Sequence, residues 1–112
     1  MSVISDLRKA LKTVTTEIAQ DTYAGSADTY ITYNVASQEP DNFVDDAPKD
    51  ETVYLQVHLY LPIGTNYLVL EKNIKTALFK SGFSYPSVSL NTTESDTEKR
   101  HICLETDIES EV

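Results

Sequence analysis

Apolar and polar residues alternate without interruption through residues 52–61. Val53, Leu55, Val57, Leu59 and Leu61 fall on one side, and Thr52, Tyr54, Gln56, His58 and Tyr60 on the other. A period of two in a run rich in β-branched and aromatic residues predicts a strand. Its aliphatic side requires a helix or a second sheet over it, while the Tyr/Gln/His side can stay partly wet. That asymmetry suits an antiparallel sheet covered on one face. The same alternation predicts a strand over residues 29–35, with Ile31, Tyr33 and Val35 opposite Tyr30, Thr32 and Asn34. A short strand at 87–90 and a last one at 100–108 complete the set. In the last, Ile102, Leu104, Thr106 and Ile108 face away from His101, Cys103, Glu105 and Asp107.

Two stretches carry helical spacing instead. Over residues 2–19, Val3, Leu7, Leu11, Val14 and Ile18 recur every three or four positions, with Ile4 and Ala10 beside the stripe. Ser2 or Ser5 supplies the cap. Thr13, Thr15 and Thr16 weaken the second half, because β-branched side chains lose rotamer freedom in a helix. A second helix follows the break at Pro62-Ile63-Gly64, capped by Thr65 or Asn66, with Tyr67, Leu70, Ile74, Ala77 and Leu78 as its buried stripe. Ser81-Gly82 ends it, Gly82 being the residue that tolerates a left-handed backbone. Phe83 and Tyr85 are expected to fold back onto the core. Residues 20–28 read as a connector turning at Gly25-Ser26, residues 91–99 as a polar turn, and residues 109–112 as an acidic tail.

The element order is α-β-β-α-β-β. It predicts one α+β domain over residues 1–112: a four-stranded, mainly antiparallel sheet with two helices packed on one face. Between the first two strands lies a long acidic loop, residues 37–51, with six acids, one Lys and two prolines. Loops of that length are uncommon in compact domains unless they serve a function. Glu39, Pro40, Asp41, Asn42, Phe43, Val44, Asp45 and Asp46 are therefore the candidate contact residues. A solvated loop gains nothing from exposing Phe43-Val44. The pair either tucks onto its own sheet or docks on a neighbour, as aromatic anchors with polar rims do at interfaces.

Charge narrows the classes. With 18 acids against 9 bases the formal net charge is −9 in 112 residues. Gripping nucleic acid requires a basic face, so that role is disfavoured, as is binding to anionic membranes. The single Cys103 cannot close an intrachain disulfide. Residues 1–20 lack the apolar core of a signal peptide, and no run is long enough to span a bilayer. A soluble protein made inside the cell is expected.

Catalytic chemistry is sparse. Nucleophilic catalysis needs a nucleophile beside a base that a third group orients. His58 and His101 sit on predicted strands, and Cys103 shares a face with His101, but same-face neighbours on a strand are commonplace. The acids at Asp41, Asp45, Asp46, Asp50 and Glu51 are the hard oxygen ligands that calcium takes, yet their loop has no glycine and no Asp-x-Asp-x-Asp-Gly order. A solvated, self-repelling charge run is the plainer reading. Three separated glycines make no phosphate cradle. No catalytic, metal or cofactor residue is assigned.

The run Tyr30-Ile31-Thr32-Tyr33, then Ser37-Gln38-Glu39-Pro40-Asp41-Asn42-Phe43, an acidic spacer, and Tyr54-Leu55-Gln56-Val57-His58-Leu59-Tyr60 resembles a family of small tailed-bacteriophage proteins. Members are tail completion or tail terminator proteins of phages and prophages of Gram-positive bacteria. The helix end Ala77-Leu78-Phe79-Lys80-Ser81-Gly82-Phe83 and the later Lys99-Arg100-His101 are similar too. The resemblance spans most of the chain, through patterns rather than catalytic signatures, and departs in the Thr-rich first helix and the connector at 21–28. It implies a structural, non-enzymatic α+β subunit of the virion tail or neck, made in the bacterial cytoplasm. Such a subunit forms a homo-oligomeric ring, a hexamer by the resemblance, at the head-proximal end of the tail tube, and presents a surface to the head connector. DNA would pass through the ring without specific binding, and no membrane is involved. Two alternatives stay open: a head-closure or connector adaptor, and, from another class, an acidic DNA mimic that inhibits a nucleic-acid-binding protein. The Phe and Pro interspersed among the acids argue against a regular mimic.

Overall fold

The computed structural model describes residues 2–44 and 47–111, with the side chains of 41–43, 48, 49 and 111 outside the description. Helix α1 (Val3–Lys12) leads into a three-residue strand β1 (Ile18–Gln20). Two long strands, β2 (Tyr30–Val44) and β3 (Ala47–Pro62), precede helix α2 (Leu68–Lys80), and β4 (Ser87–Glu94) and β5 (Lys99–Glu111) close the chain. The five strands form one sheet in the order β1-β2-β3-β5-β4. Strands β2, β3, β5 and β4 pair antiparallel, as the alternation predicts, and β1 adds itself parallel to β2. The sheet is thus five-stranded and mixed, not four-stranded.

The extra strand comes from residues assigned to the first helix. Ser2 caps α1 by accepting from the Ser5 amide, but the helix stops at Lys12 and not at Ala19. The hydroxyl of Thr13 turns back to the Ala10 carbonyl at 2.7 Å, and that of Thr15 accepts from the Glu17 amide at 3.2 Å. Such local side-chain bonds offer the backbone an alternative to the helical ladder. Ile18 still reaches the core, but from β1, opposite Ile31.

The core lies between the two helices and one sheet face. Leu7, Ala10 and Leu11 of α1, with Ile74 and Leu78 of α2, cover Ile31, Tyr33, Val53, Leu55, Val57, Leu59, Leu61, Ile102 and Leu104. Apart from Tyr33 these are the aliphatic positions of the alternating runs. The predicted inward face holds except at Val35, which is 38% exposed beside the bulge that follows it, while Thr32 and Cys103 of the opposite face are also buried. Tyr33 is fully buried, and its hydroxyl finds the Arg8 guanidinium at 3.5 Å. Thr106, the polar interruption of β5, is also buried and donates to the Ser84 carbonyl at 2.7 Å. The Asp107 amide donates to the Ser84 hydroxyl, so the segment after α2 is clamped to β5.

Helix α2 ends as its sequence requires. Gly82 takes φ +96°, the Phe83 amide bonds the Leu78 carbonyl, and the Gly82 amide bonds that of Phe79. This paired closure leaves Phe83 and Leu78 together in the core. Tyr85 does not follow Phe83 inward. It is 58% exposed and stands edge-on to Phe79. At the start of the helix Asn66, not Thr65, accepts from the Leu68 amide.

The expected acidic loop at 37–51 is the largest correction. Both flanking strands run on through it as a hairpin whose last described pair is Val44 with Ala47. Strand β5 accompanies β3 as far as the pair Asp50–Glu111 and supplies the ladder that the sequence pattern does not advertise. Period-two hydrophobicity marks a strand only where one face is buried. Here the described side chains from Ser37 to Pro40, with Val44 and Ala47, are exposed. Strand pairing maintains the extended form, with Gln38 Nε2 donating to Glu51 Oε1 across it at 3.1 Å. For the same reason β4 and β5 outrun their predicted ends, leaving only residues 95–98 as the turn.

Candidate functional site: an acidic hairpin arm and an uncovered sheet face

The hairpin stretches the molecule to 53 Å along one axis, against 24 Å along the other two. Its departure from the body is marked by a bulge in β2 between Val35 and Ser37. The extra residue shifts the alternation, so that Ser37 stands across from Tyr54 and Glu39 across from Thr52, on the side away from the helices. Bulges also increase local twist, which turns the arm relative to the body. Beyond the pair Asp41–Asp50, the described ladder consists of β2 and β3 alone.

The candidate residues Glu39 to Val44 are thereby collected on one strand of this arm. Glu39 and Pro40 are exposed, and Val44 is 55% exposed, so Val44 does not tuck onto its own sheet. The side chains of Asp41, Asn42 and Phe43, and all of Asp45 and Asp46, lie outside the described residues.

The outer edge of β2 is paired with β1 only through Ile31 to Tyr33. From there outward it offers a backbone on which another strand could add. Pro40 lacks a donor, the bulge distorts the ladder, and Glu39 and Asp41 add charge. These are the devices by which edges resist strand addition. The arm is therefore suited to contact through its side chains.

The second surface is the sheet face without helices, and the sequence did not mark it as a site. Five rings cross it in a continuous row. Tyr23 stacks on Tyr30 (centroids 4.2 Å), Tyr30 on Tyr60 (4.9 Å), and Tyr60 on His101 (4.4 Å), which meets His58 at 5.0 Å. Each is a cross-strand neighbour apart from Tyr23, which reaches in from the connector and hydrogen-bonds Glu17. Only the wet positions of the alternating runs hinted at this row. Its alignment depends on register.

A hydrogen-bonded chain runs through the two histidines. His58 Nε2 lies 3.1 Å from Asn34 Oδ1, an acceptor, so the proton of neutral His58 sits on Nε2. His58 Nδ1 then accepts from His101 Nε2 at 2.8 Å, and Asn34 Nδ2 donates to Gln56 Oε1 at 3.2 Å. The free lone pair of His101 Nδ1 points towards Glu94, 3.9 Å away. The pairing that forms is thus His58 with His101, while Cys103 is buried across from His58 in register.

Burial lowers the pKa of His58, and the neighbouring His101 lowers it further. Burial also lowers that of His101, against an opposing pull from Glu94. Burial raises the Cys103 thiol, which disfavours a nucleophilic thiolate. Tyr30 and Tyr60 are raised by burial and then by Glu94.

For a histidine whose folded pKa is depressed, the unfolded chain binds protons first as pH falls. Stability is therefore highest when both rings are neutral in both states, above about pH 6.5. It declines as pH drops through that value towards the folded pKa. The urea midpoint of the native protein is expected to fall between pH 7.5 and 5, and the drop should shrink in a His58→Gln/His101→Gln variant. Equal slopes in the two proteins would contradict this assignment.

Asp21, Thr22, Tyr23, Tyr30, Thr32, Tyr60 and Glu94 line a shallow hollow of about 300 Å³ beside the row. Its two carboxylates and three tyrosine rings favour no anion. Among the described residues no group of three or more His, Cys, Asp or Glu is placed to hold a metal ion. No described helix is long and apolar enough to cross a membrane. A scan against protein-family models finds no match, and a search of curated proteins finds none.

Proposed function

We propose that this chain is a structural subunit of phage or prophage assembly, of the tail terminator or completion type, without enzymatic activity. In this reading it forms a closed ring at the head-proximal end of the tail and joins tail to head. The observation that carries the proposal is the arm. A compact two-helix body extends a long acidic hairpin with an exposed aliphatic residue, Val44, near its end, and Val44 is not part of the described core. A contact between an arm and a different surface of the next copy is heterologous, and it generates a ring when the rotation closes. The resemblance of residues 30–60 to the tail terminator family supports the same role. An acidic ring would also repel the phosphates of passing DNA and limit sticking in the channel.

Sedimentation velocity across a concentration series tests the reading. It expects a cooperative transition from monomer to one closed species of fixed stoichiometry, visible as rings by negative-stain microscopy. A protein that remains monomeric to millimolar concentration would overturn it. Localisation separates the terminator from the head-side adaptor. A terminator is found in isolated tails, whereas a head-closure adaptor is found in filled heads.

A further inference from the structure

The 27 formally charged side chains are unevenly distributed over the fold. Six of the nine Lys and Arg residues stand on the two helices: Arg8, Lys9 and Lys12 on α1, and Lys72, Lys75 and Lys80 on α2. Only Asp6 and Glu71 oppose them there. The helix layer is therefore net +4, and the remainder of the chain net −13, which together make the −9 of the whole. All six bases are exposed except Lys75, which is half-buried beside the Tyr85 ring. Among the described residues none of the six is held in an ion pair.

The same layer exposes apolar surface. Leu68 and Val69 at the start of α2 and Phe79 near its end are each 58–60% exposed. Between the end of α1 and α2 lies a hollow of about 270 Å³, lined by Thr13, Val14, Asn73, Thr76, Ala77 and Lys80. That is below the usual range of small-molecule sites, about 300–1,000 Å³, and is suited to one or two side chains.

We infer that the helix layer is the docking surface for the hairpin arm of a second copy of this chain. The inference rests on the proposed role of the arm and names the surface that receives it. The arm segment, residues 39–51, carries six acids and one Lys around Phe43-Val44. The layer offers the opposite charge, bases interspersed with exposed Leu68, Val69 and Phe79 and with a hollow of mixed lining whose apolar part is Val14 and Ala77. Charge complementarity of this kind steers encounter and fixes register, while like charges brought together oppose it. Arm and layer are different surfaces, so the contact is head-to-tail and can propagate around a ring.

Charge reversal tests this directly. Lys72→Glu/Lys80→Glu inverts the layer, and Glu39→Lys/Glu51→Lys inverts the arm. Circular dichroism melts first establish that both proteins are folded, which the exposed positions of Glu39, Lys72 and Lys80 favour; Glu51 is half-buried and loses its hydrogen bond from Gln38. Each alone is expected to raise the concentration needed for assembly at least about tenfold. Mixing the two proteins, or combining all four changes in one chain, should recover most of that loss. Assembly of the native chain should weaken between 0.05 and 0.5 M NaCl, as screening shortens the reach of the charges. If arm reversal breaks assembly and layer reversal does not, the arm reading stands and this docking surface is wrong. If layer reversal alone breaks it, the occupant is not the arm and the inference fails. If neither reversal matters, or the native chain never assembles, the arm reading falls as well.

Discussion

Replacing Phe83 by alanine is expected to cost about 3–5 kcal/mol of stability, the range for emptying a buried aromatic site. For a domain of this size the melting temperature should fall by roughly 10–20 °C. Phe83 is only 2% exposed and packs in the core cluster that holds Leu78. It also closes α2, since its amide bonds the Leu78 carbonyl across the left-handed Gly82. An alanine there keeps the backbone bond but leaves a void between the helix end and β5. A cost of that size is a large fraction of the 5–15 kcal/mol typical of folded domains. The matched control is Tyr85→Ala two residues on, where the ring is 58% exposed and the expected change is within about 0.5 kcal/mol. Urea denaturation of both variants checks the pair. A Phe83 cost below 1 kcal/mol would show that the ring is not packed as described.

Shortening the arm should abolish self-association while leaving the fold intact. The cleanest variant replaces residues 42–49 by Asn-Gly, joining Asp41 to Asp50. Those two residues already pair, and β5 reaches this row through Glu111. A two-residue Asn-Gly link has the twist that antiparallel strands favour. The described core contributes nothing to the removed segment, so the unfolding midpoint should stay within about 0.5 kcal/mol of the parent's. Assembly should be lost across at least a hundredfold range of concentration, because the removed residues include Val44 and the Phe43 position. Light scattering reads the result. A shortened protein that still forms the parent's species would mean that the arm is not the contact.

How much of this was legible depends on what each residue buries. The alternation through β3 and β5 located both strands and picked out their inward faces, because Val53, Leu55, Val57, Leu59, Leu61, Ile102 and Leu104 all enter one core. The end of α2 was equally plain, since only glycine adopts φ +96° at no cost. The first helix misled because Ile18 fits a helical stripe and a strand pairing with Ile31 equally well. Local threonine chemistry, together with an open edge on β2, decided between them. Phe83 and Tyr85 looked alike in sequence, and only the path of the chain after α2 separated them.

The candidate site was legible in part. The composition of residues 37–51 pointed to a contact element, but its form as an extended hairpin came from pairing with β3 and β5. The ring row was invisible as a row. Tyr30, Tyr60 and His101 are distant in sequence and meet because the register sets them side by side on neighbouring strands. The histidine contact follows from the same register, with His101 beside His58 on the uncovered face.

Residue order alone determined the fold class, the buried faces and where α2 stops, because each depends on short-range periodicity or on one residue's backbone freedom. Tertiary structure decided the fifth strand, the conversion of an apparent loop into an arm, and the separation of a basic helix layer from an acidic sheet and hairpin. Those features arise from long-range strand pairing and layer packing, which place distant residues together without leaving a local pattern in the chain.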